Sequence, residues 1–115
     1  MNECVSYSTV GPVAVVHLDR PHRLNAVVPD LVDGLLAAFE RAGSEDVRAL
    51  VLAGRGRAFC AGHDLKEPAP VEDTAAARQR LQRIQDVTRA IRALPAPVIA
   101  AVHGYALGAG AEFAL

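Results

Sequence analysis

Alternating β-type and helical hydrophobic runs mark this chain of 115 residues as a single α/β domain. Two further observations point the same way. Half of the residues are hydrophobic while only 4% are aromatic, so the core is built from Ala, Val, Leu and Ile. Two of the apolar runs lead into loops rich in glycine and alanine, the position where α/β folds tend to bind ligands.

Val5 to Thr9 and Val13 to Leu18 are β-rich runs on either side of Val10-Gly11-Pro12, which reads as two strands joined by a tight connection. Arg20-Pro21-His22-Arg23-Leu24-Asn25 follows as a loop. Leu31, Val32, Leu35, Leu36 and Phe39 then recur at helical spacing, with Pro29 suited to the first turn and Gly43 just past the end. Ala49 to Ala53 is short and wholly apolar, bounded by charge before it and by Gly54-Arg55-Gly56 after it, as a buried strand is. A long loop runs on to about Asp73.

Leu81, Ile84, Val87 (or Thr88), Ile91 and Leu94 mark one face of a second helix. Its other face carries Arg78, Arg80, Gln82, Arg83 and Arg89 and reads as solvated surface. Pro95 and Pro97 stop this helix, and Val98 to Val102 make a further buried strand. The turn after it opens a third helix bearing Glu112. The order is strand-strand-helix-strand-helix-strand-helix, with no internal linker or low-complexity segment.

Charge and composition exclude several functions. Twelve basic residues against thirteen acidic ones leave a net charge of -1 with no dense basic block, so no nucleic-acid partner is expected. Met1-Asn2-Glu3-Cys4 has neither a positive leader nor an apolar signal core, and no apolar run approaches membrane-spanning length; the expectation is a soluble cytoplasmic protein with no membrane partner. Cys4 and Cys60 are too few for a disulfide framework or a metal cluster and read as free thiols. Nothing in the sequence identifies a base to make Cys60 a nucleophile. His17 reads as a filler within its strand, His22 and His103 lie at loop edges, and no pair has metal spacing, so no metal is expected. Gly108-Ala109-Gly110 fails as a dinucleotide fingerprint because Phe113 stands at the third glycine position.

The chemistry concentrates in two loops. The first is Gly54-Arg55-Gly56-Arg57-Ala58-Phe59-Cys60-Ala61-Gly62-His63-Asp64-Leu65-Lys66, and the second is the segment from Ala100 to Leu115. If they are neighbours, one backbone N–H from each can grip a single carbonyl oxygen as an oxyanion hole. Small residues suit this because the backbone is the functional group and a large side chain would obstruct the approach. Glu112, about one helical turn in, is placed to handle a proton.

Phe59-Cys60-Ala61-Gly62-His63-Asp64-Leu65 resembles the first signature of the crotonase superfamily, the enoyl-CoA hydratases and isomerases. The run Ile99-Ala100-Ala101-Val102-His103-Gly104-Tyr105-Ala106-Leu107-Gly108-Ala109-Gly110-Ala111-Glu112 resembles the second. Leu18-Asp19-Arg20-Pro21-His22-Arg23-Leu24-Asn25-Ala26 is similar to the loop before the family's first long helix. The resemblance covers essentially the whole chain, in order. It implies a crotonase-like fold, a ClpP/crotonase-type spiral of β-β-α units, truncated here: residues 1–115 form a partial domain equivalent to the N-terminal half, with the C-terminal half absent.

By position, the resemblance puts the two oxyanion donors on the backbone N–H groups of His63 and Ala109. His63, Asp64, Leu65 and Lys66 then line the CoA-thioester site, with Ala61 and Asp64 near the adenine end, Arg23 near the phosphates and Leu24 beside it. Glu112 matches the glutamate that activates water or moves a proton. Coenzyme A enters as part of the substrate and no separate cofactor is implied.

Three departures bear on activity. Ala109 replaces a more usual glycine, and its methyl group is uncomfortable if the turn needs positive φ there. His63 replaces a smaller residue and narrows the acyl pocket. Hydratases of the family use a second glutamate some twenty positions after the first, beyond Leu115. The implied activity is hydration of a 2-enoyl-CoA, a lyase reaction of fatty acid metabolism, expected to be weak or absent in residues 1–115. The competing expectation is a non-catalytic fragment that binds acyl-CoA or associates with itself or with other crotonase-type chains, because an incomplete core leaves apolar surface exposed.

Overall fold

The structure, a computed structural model, describes residues 2–62 and 74–115. β1 (Val5–Val10) and β2 (Val13–Leu18) form an antiparallel hairpin with Val5 opposite Leu18 and Val10 opposite Val13. A single 3-10 turn, Pro21–Arg23, leads to α1 (Pro29–Ser44). β3 (Ala49–Gly54) lies parallel to β2, α2 (Thr74–Ala93) crosses over, and β4 (Val98–Ala101) lies parallel to β3. α3 (Ala109–Ala114) follows. The sheet order is β1-β2-β3-β4, so the mixed α/β layering expected of the sequence is the layering observed.

Side-chain alternation decides which face of the sheet is covered. Ala14, Val16 and Leu18 of β2 and Leu50 and Leu52 of β3 are fully buried. They meet Leu31, Leu35, Ala38, Phe39 and Ala42, which share one face of α1. Each of these leucines, taken wholly out of water, contributes about 2 kcal/mol. The end of α1 is pinned to β1: the Tyr7 hydroxyl donates to Glu45 Oε2 (3.0 Å), and the Arg41 guanidinium sits 4.3 Å from the Tyr7 ring centroid.

Three apolar runs are less covered than their composition predicts. Val98 to Val102 was expected to be a buried strand; β4 ends at Ala101, Ile99 is 54% exposed, and Val102 beyond it is 49% exposed. Ile99 lies beside Val51 on the sheet face that no helix covers, and β4 is the last strand, with no further strand beside it. In β3, Ala49, Val51 and Ala53 are only half-buried, because the helices pack on the opposite face of the sheet. On α2 only Val87 is buried, and Leu81 is 56% exposed. That helix lies at the rim of its layer, against α1 and α3, and Arg83 on its outer side pairs with Asp33 of α1. Among the described residues, no helix is long and apolar enough to cross a membrane, and no three His, Cys, Asp or Glu side chains gather as a metal ion requires.

His17 points to the uncovered face of β2, opposite Ser6 of β1. Its Nδ1 is buried and has no hydrogen-bond partner among the described residues. Burial lowers its pKa below the ordinary value, and the nearby Arg55 cation lowers it further against the opposing pull of Asp19. The unfolded chain therefore takes up this proton near pH 6.5, while the native chain does so only at lower pH. The contribution of His17 to stability is complete above about pH 6.5 and declines as pH falls through the native value. Thermal unfolding midpoints are expected to drop on acidification across this window, and less steeply in His17→Gln; identical profiles for the two chains would contradict the assignment.

Candidate functional site

The site begins in the loop after β2. Leu24 and Asn25 both take positive φ, 53° and 55°. Asn tolerates this left-handed conformation, and Leu does so only when its surroundings hold it there. Here they do. The Arg20 backbone N–H donates to Asn25 Oδ1 (2.7 Å), and buried Arg20 Nη1 donates to the Ala26 carbonyl (2.6 Å). The Asn25 side chain is itself completely buried.

With the loop turned this way, two main-chain bonds fasten it to the segment after β3. Ala61 N–H donates to the Leu24 carbonyl (3.0 Å), and Val27 N–H donates to the Gly62 carbonyl (2.6 Å). Asn25 Nδ2 donates to the carbonyls of Arg55 (3.0 Å), Ala58 (2.9 Å) and Phe59 (3.1 Å).

On its other side, the same segment is bonded to the loop after β4. Phe59 N–H donates to the His103 carbonyl (2.8 Å), Cys60 N–H to the Tyr105 carbonyl (3.0 Å), and Leu107 N–H to the Cys60 carbonyl (3.0 Å). Cys60 and Ala106 form a parallel bridge. His103 Nε2 lies 2.6 Å from the Gly56 carbonyl and ties the two loops together once more.

The approach is close enough to exclude side chains. A Cβ on Gly110 would collide with the Cys60 carbonyl, and one on Gly62 would stand 2.7 Å from the Leu107 oxygen and 3.6 Å from the Gly108 Cα. Gly62 and Gly108 thus lie against one another. These are the residues immediately before His63 and Ala109, so the two loops expected to be neighbours are neighbours. Gly108 caps α3 with φ 54° and ψ -124°. The positive φ that threatened Ala109 falls on Gly108 instead, and Ala109 enters the helix as an ordinary first residue, where its N–H has no carbonyl within the helix to meet.

Ala61 and Ala109 are half-buried, Arg23 and Leu24 are half-buried in the 3-10 turn and at its end, and Glu112 is exposed on α3 with its N–H donating to the Gly108 carbonyl (3.1 Å). His63, Asp64, Leu65 and Lys66 lie outside the described residues. Cys60 is fully buried, its thiol lies 3.1 Å from the Asn25 carbonyl as a donor, and burial pushes its pKa up; it is a packed thiol, not a nucleophile. In the sequence, Asn25 stands only as the end of the loop from Arg20 and as a member of the family-like run from Leu18 to Ala26. Its one legible signal was an Asn at a turn, the residue type that accepts left-handed backbone and bonds to nearby peptide groups.

Residues 9–115 match the enoyl-CoA hydratase/isomerase family. The chain belongs to that family. A probable enoyl-CoA hydratase of Mycobacterium tuberculosis is 45% identical over 105 residues, covering 90% of this chain and 40% of that protein. The crystal structure of an enoyl-CoA hydratase from Mycobacterium smegmatis superposes with a TM-score of 0.91 at 39% identity, over 97% of this chain and 44% of that one. An enoyl-CoA hydratase from Thermoplasma volcanium superposes with a TM-score of 0.89 at 32% identity, over 98% and 45%. The fold is therefore crotonase-like, and the chain spans about two-fifths of the length of the curated relatives it matches.

Because the obstacle at Gly110 is main chain that cannot swing aside, Gly110→Ala is expected to destabilise the fold by roughly 1–3 kcal/mol in chemical denaturation. Gly43 lies inside the last turn of α1 rather than past its end, and Gly43→Ala, whose added Cβ meets only the far end of Leu94 at 3.9 Å, is the unhindered control, expected to be neutral or stabilising by up to about 1 kcal/mol. A Gly110→Ala midpoint equal to that of the control would refute the close approach.

Proposed function

We propose that residues 1–115 build the thioester-gripping part of a site for 2-enoyl-CoA substrates. The N–H groups of His63 and Ala109 hold the thioester oxygen, which gathers negative charge as water adds to the β-carbon and an enolate develops. Two peptide donors suit that task because their dipoles are fixed before the reaction begins; one such donor is typically worth roughly 10²–10³ in rate. Arg23, Leu24, Ala61, Asp64, Leu65 and Lys66 run along the coenzyme A portion of the substrate, with Arg23 near its phosphates.

The observation that carries this reading is the contact between Gly62 and Gly108, which brings together the residues just before both donors. Glu112 adds to it. Standing three residues after Ala109, it shares that residue's side of α3 and has a place to exchange a proton with water or substrate. Syn-addition is served by two carboxylates, of which the family resemblance places one, Glu112, within residues 1–115.

A second reading, of acyl-CoA binding without turnover and association with crotonase-type chains, is favoured by a different observation. Ile99, Val102, Tyr105 and Leu107, all within one stretch of nine residues, are each about half exposed or more. Such surface drives association.

The first reading expects a conjugated aryl-acryloyl-CoA thioester to absorb at longer wavelength on binding, because two donors polarise its carbonyl; binding with an unshifted spectrum would exclude the oxyanion hole. Residues 1–115 are expected to hydrate crotonyl-CoA at least about 100-fold more slowly than a two-glutamate hydratase, with Glu112→Gln removing what turnover remains and leaving thioester affinity within about twofold. Turnover at an ordinary hydratase rate, or turnover unaffected by Glu112→Gln, would count against the assigned roles. For the second reading, gel filtration is expected to give an apparent mass that rises with concentration; a concentration-independent monomer would end it.

A further inference from the structure

We infer that Asn25 is a positioning residue for the oxyanion hole, acting through the main chain of residues 58–62; the inference rests on the thioester reading above. Two consecutive peptide units are strung between Asn25 and the loop after β4. In the first, the Ala58 carbonyl accepts from Asn25 Nδ2 while the Phe59 N–H donates to the His103 carbonyl. In the second, the Phe59 carbonyl accepts from the same Nδ2 while the Cys60 N–H donates to the Tyr105 carbonyl. Each peptide plane is therefore held at both ends, and its rotation is fixed.

The next links continue the constraint toward the site. The Cys60 thiol donates to the Asn25 carbonyl, Ala61 N–H is bonded to the Leu24 carbonyl, and the Gly62 carbonyl accepts from Val27 N–H. Every backbone N–H from Phe59 to Ala61 is thus engaged with a named partner before the chain reaches the donor at residue 63. The amide of Asn25 suits this place and few others would. It accepts through Oδ1 from Arg20 N–H while both Nδ2 protons serve three carbonyls, all without net charge at a site closed to water. An aspartate there keeps the shape and the acceptor but loses both donors, leaving three carbonyls facing a carboxylate. Placement errors of about 1 Å in such donors are enough to lose most of their effect.

The test compares the unaltered chain with Asn25→Asp and Asn25→Ser, and with Leu94→Ala, a destabilising control just after α2, where Leu94 packs toward Gly43 of α1. Each is titrated with the conjugated aryl-acryloyl-CoA thioester and, separately, with coenzyme A alone. In a folded Asn25 variant the absorption shift is expected to vanish and thioester affinity to fall roughly tenfold, to that of coenzyme A. Leu94→Ala is expected to keep the shift. In Asn25→Asp the shift returns in part as pH is lowered, since a protonated carboxyl regains one donor. A folded Asn25 variant with the full shift overturns the inference. In the unaltered chain, NMR supplies a readout that needs no variant: the Asn25 side-chain amide resonances move with the thioester and stay put with coenzyme A alone, and no movement with either overturns the inference too. No absorption shift in the unaltered chain removes the thioester reading itself, whereas a shift that survives in folded Asn25 variants removes only the role of Asn25.

Discussion

Everything in this structure is arranged around one steric constraint, the contact of bare main chain between the segment after β3 and the segment after β4. Parallel pairing of these strands makes the contact possible. Leu50 lies beside Val98 and Ala53 beside Ala101, so both strands deliver their following loops to the same edge of the sheet. The antiparallel hairpin of β1 and β2 ends at that edge as well, with Leu18 beside Gly54, which sets the loop of residues 19–27 against the other two. Three loops from one edge then share one set of main-chain hydrogen bonds, and the core under α1 serves mainly to hold the edge straight.

A site made of peptide groups has a particular electrostatic character. Its donors do not titrate, do not change rotamer and carry no counter-ion, so their field is the same at every pH at which the fold survives. Two of the groups whose pKa burial shifts, His17 and Cys60, stand outside this field. His17 faces the bare side of the sheet, and Cys60 has its sulfur turned toward Asn25. In such a site the side chains matter chiefly for what they permit, and glycine at 62 and 110 permits contact.

Most of the fold was legible because it follows from periodicity. β2 matches its expected limits of Val13 and Leu18, and α1 begins at the proline that suits a first turn. Burial was less legible. Val98 to Val102 and Leu81 carry the right side chains for a core, yet a hydrophobic pattern tells which face is available for cover, not whether cover arrives. The two loops were legible as a pair through their small residues. Which residue of the second loop takes the unusual backbone angle was not, since Gly108 and Ala109 are equally placed in sequence and only the entry into α3 separates them. Asn25 was illegible because the carbonyls it serves lie 30 to 34 positions away, and no local pattern announces a partner at that distance.

That separation also orders events in time. When synthesis has produced β1, β2, α1 and β3, a hydrophobic layer can already close, but the N–H groups of Phe59 and Cys60 still lack the carbonyls of His103 and Tyr105, more than forty residues downstream. Contacts this far apart form late and slowly, after the loop-closure entropy of the intervening chain has been overcome. The hairpin, α1 and β3 are therefore in place in the growing chain before the bonds that join the loop after β3 to the loop after β4 can form. A chain stalled before residue 103 carries all four strands and two of the three helices, yet it lacks Phe113 of the core and the carbonyls that fix Phe59 and Cys60.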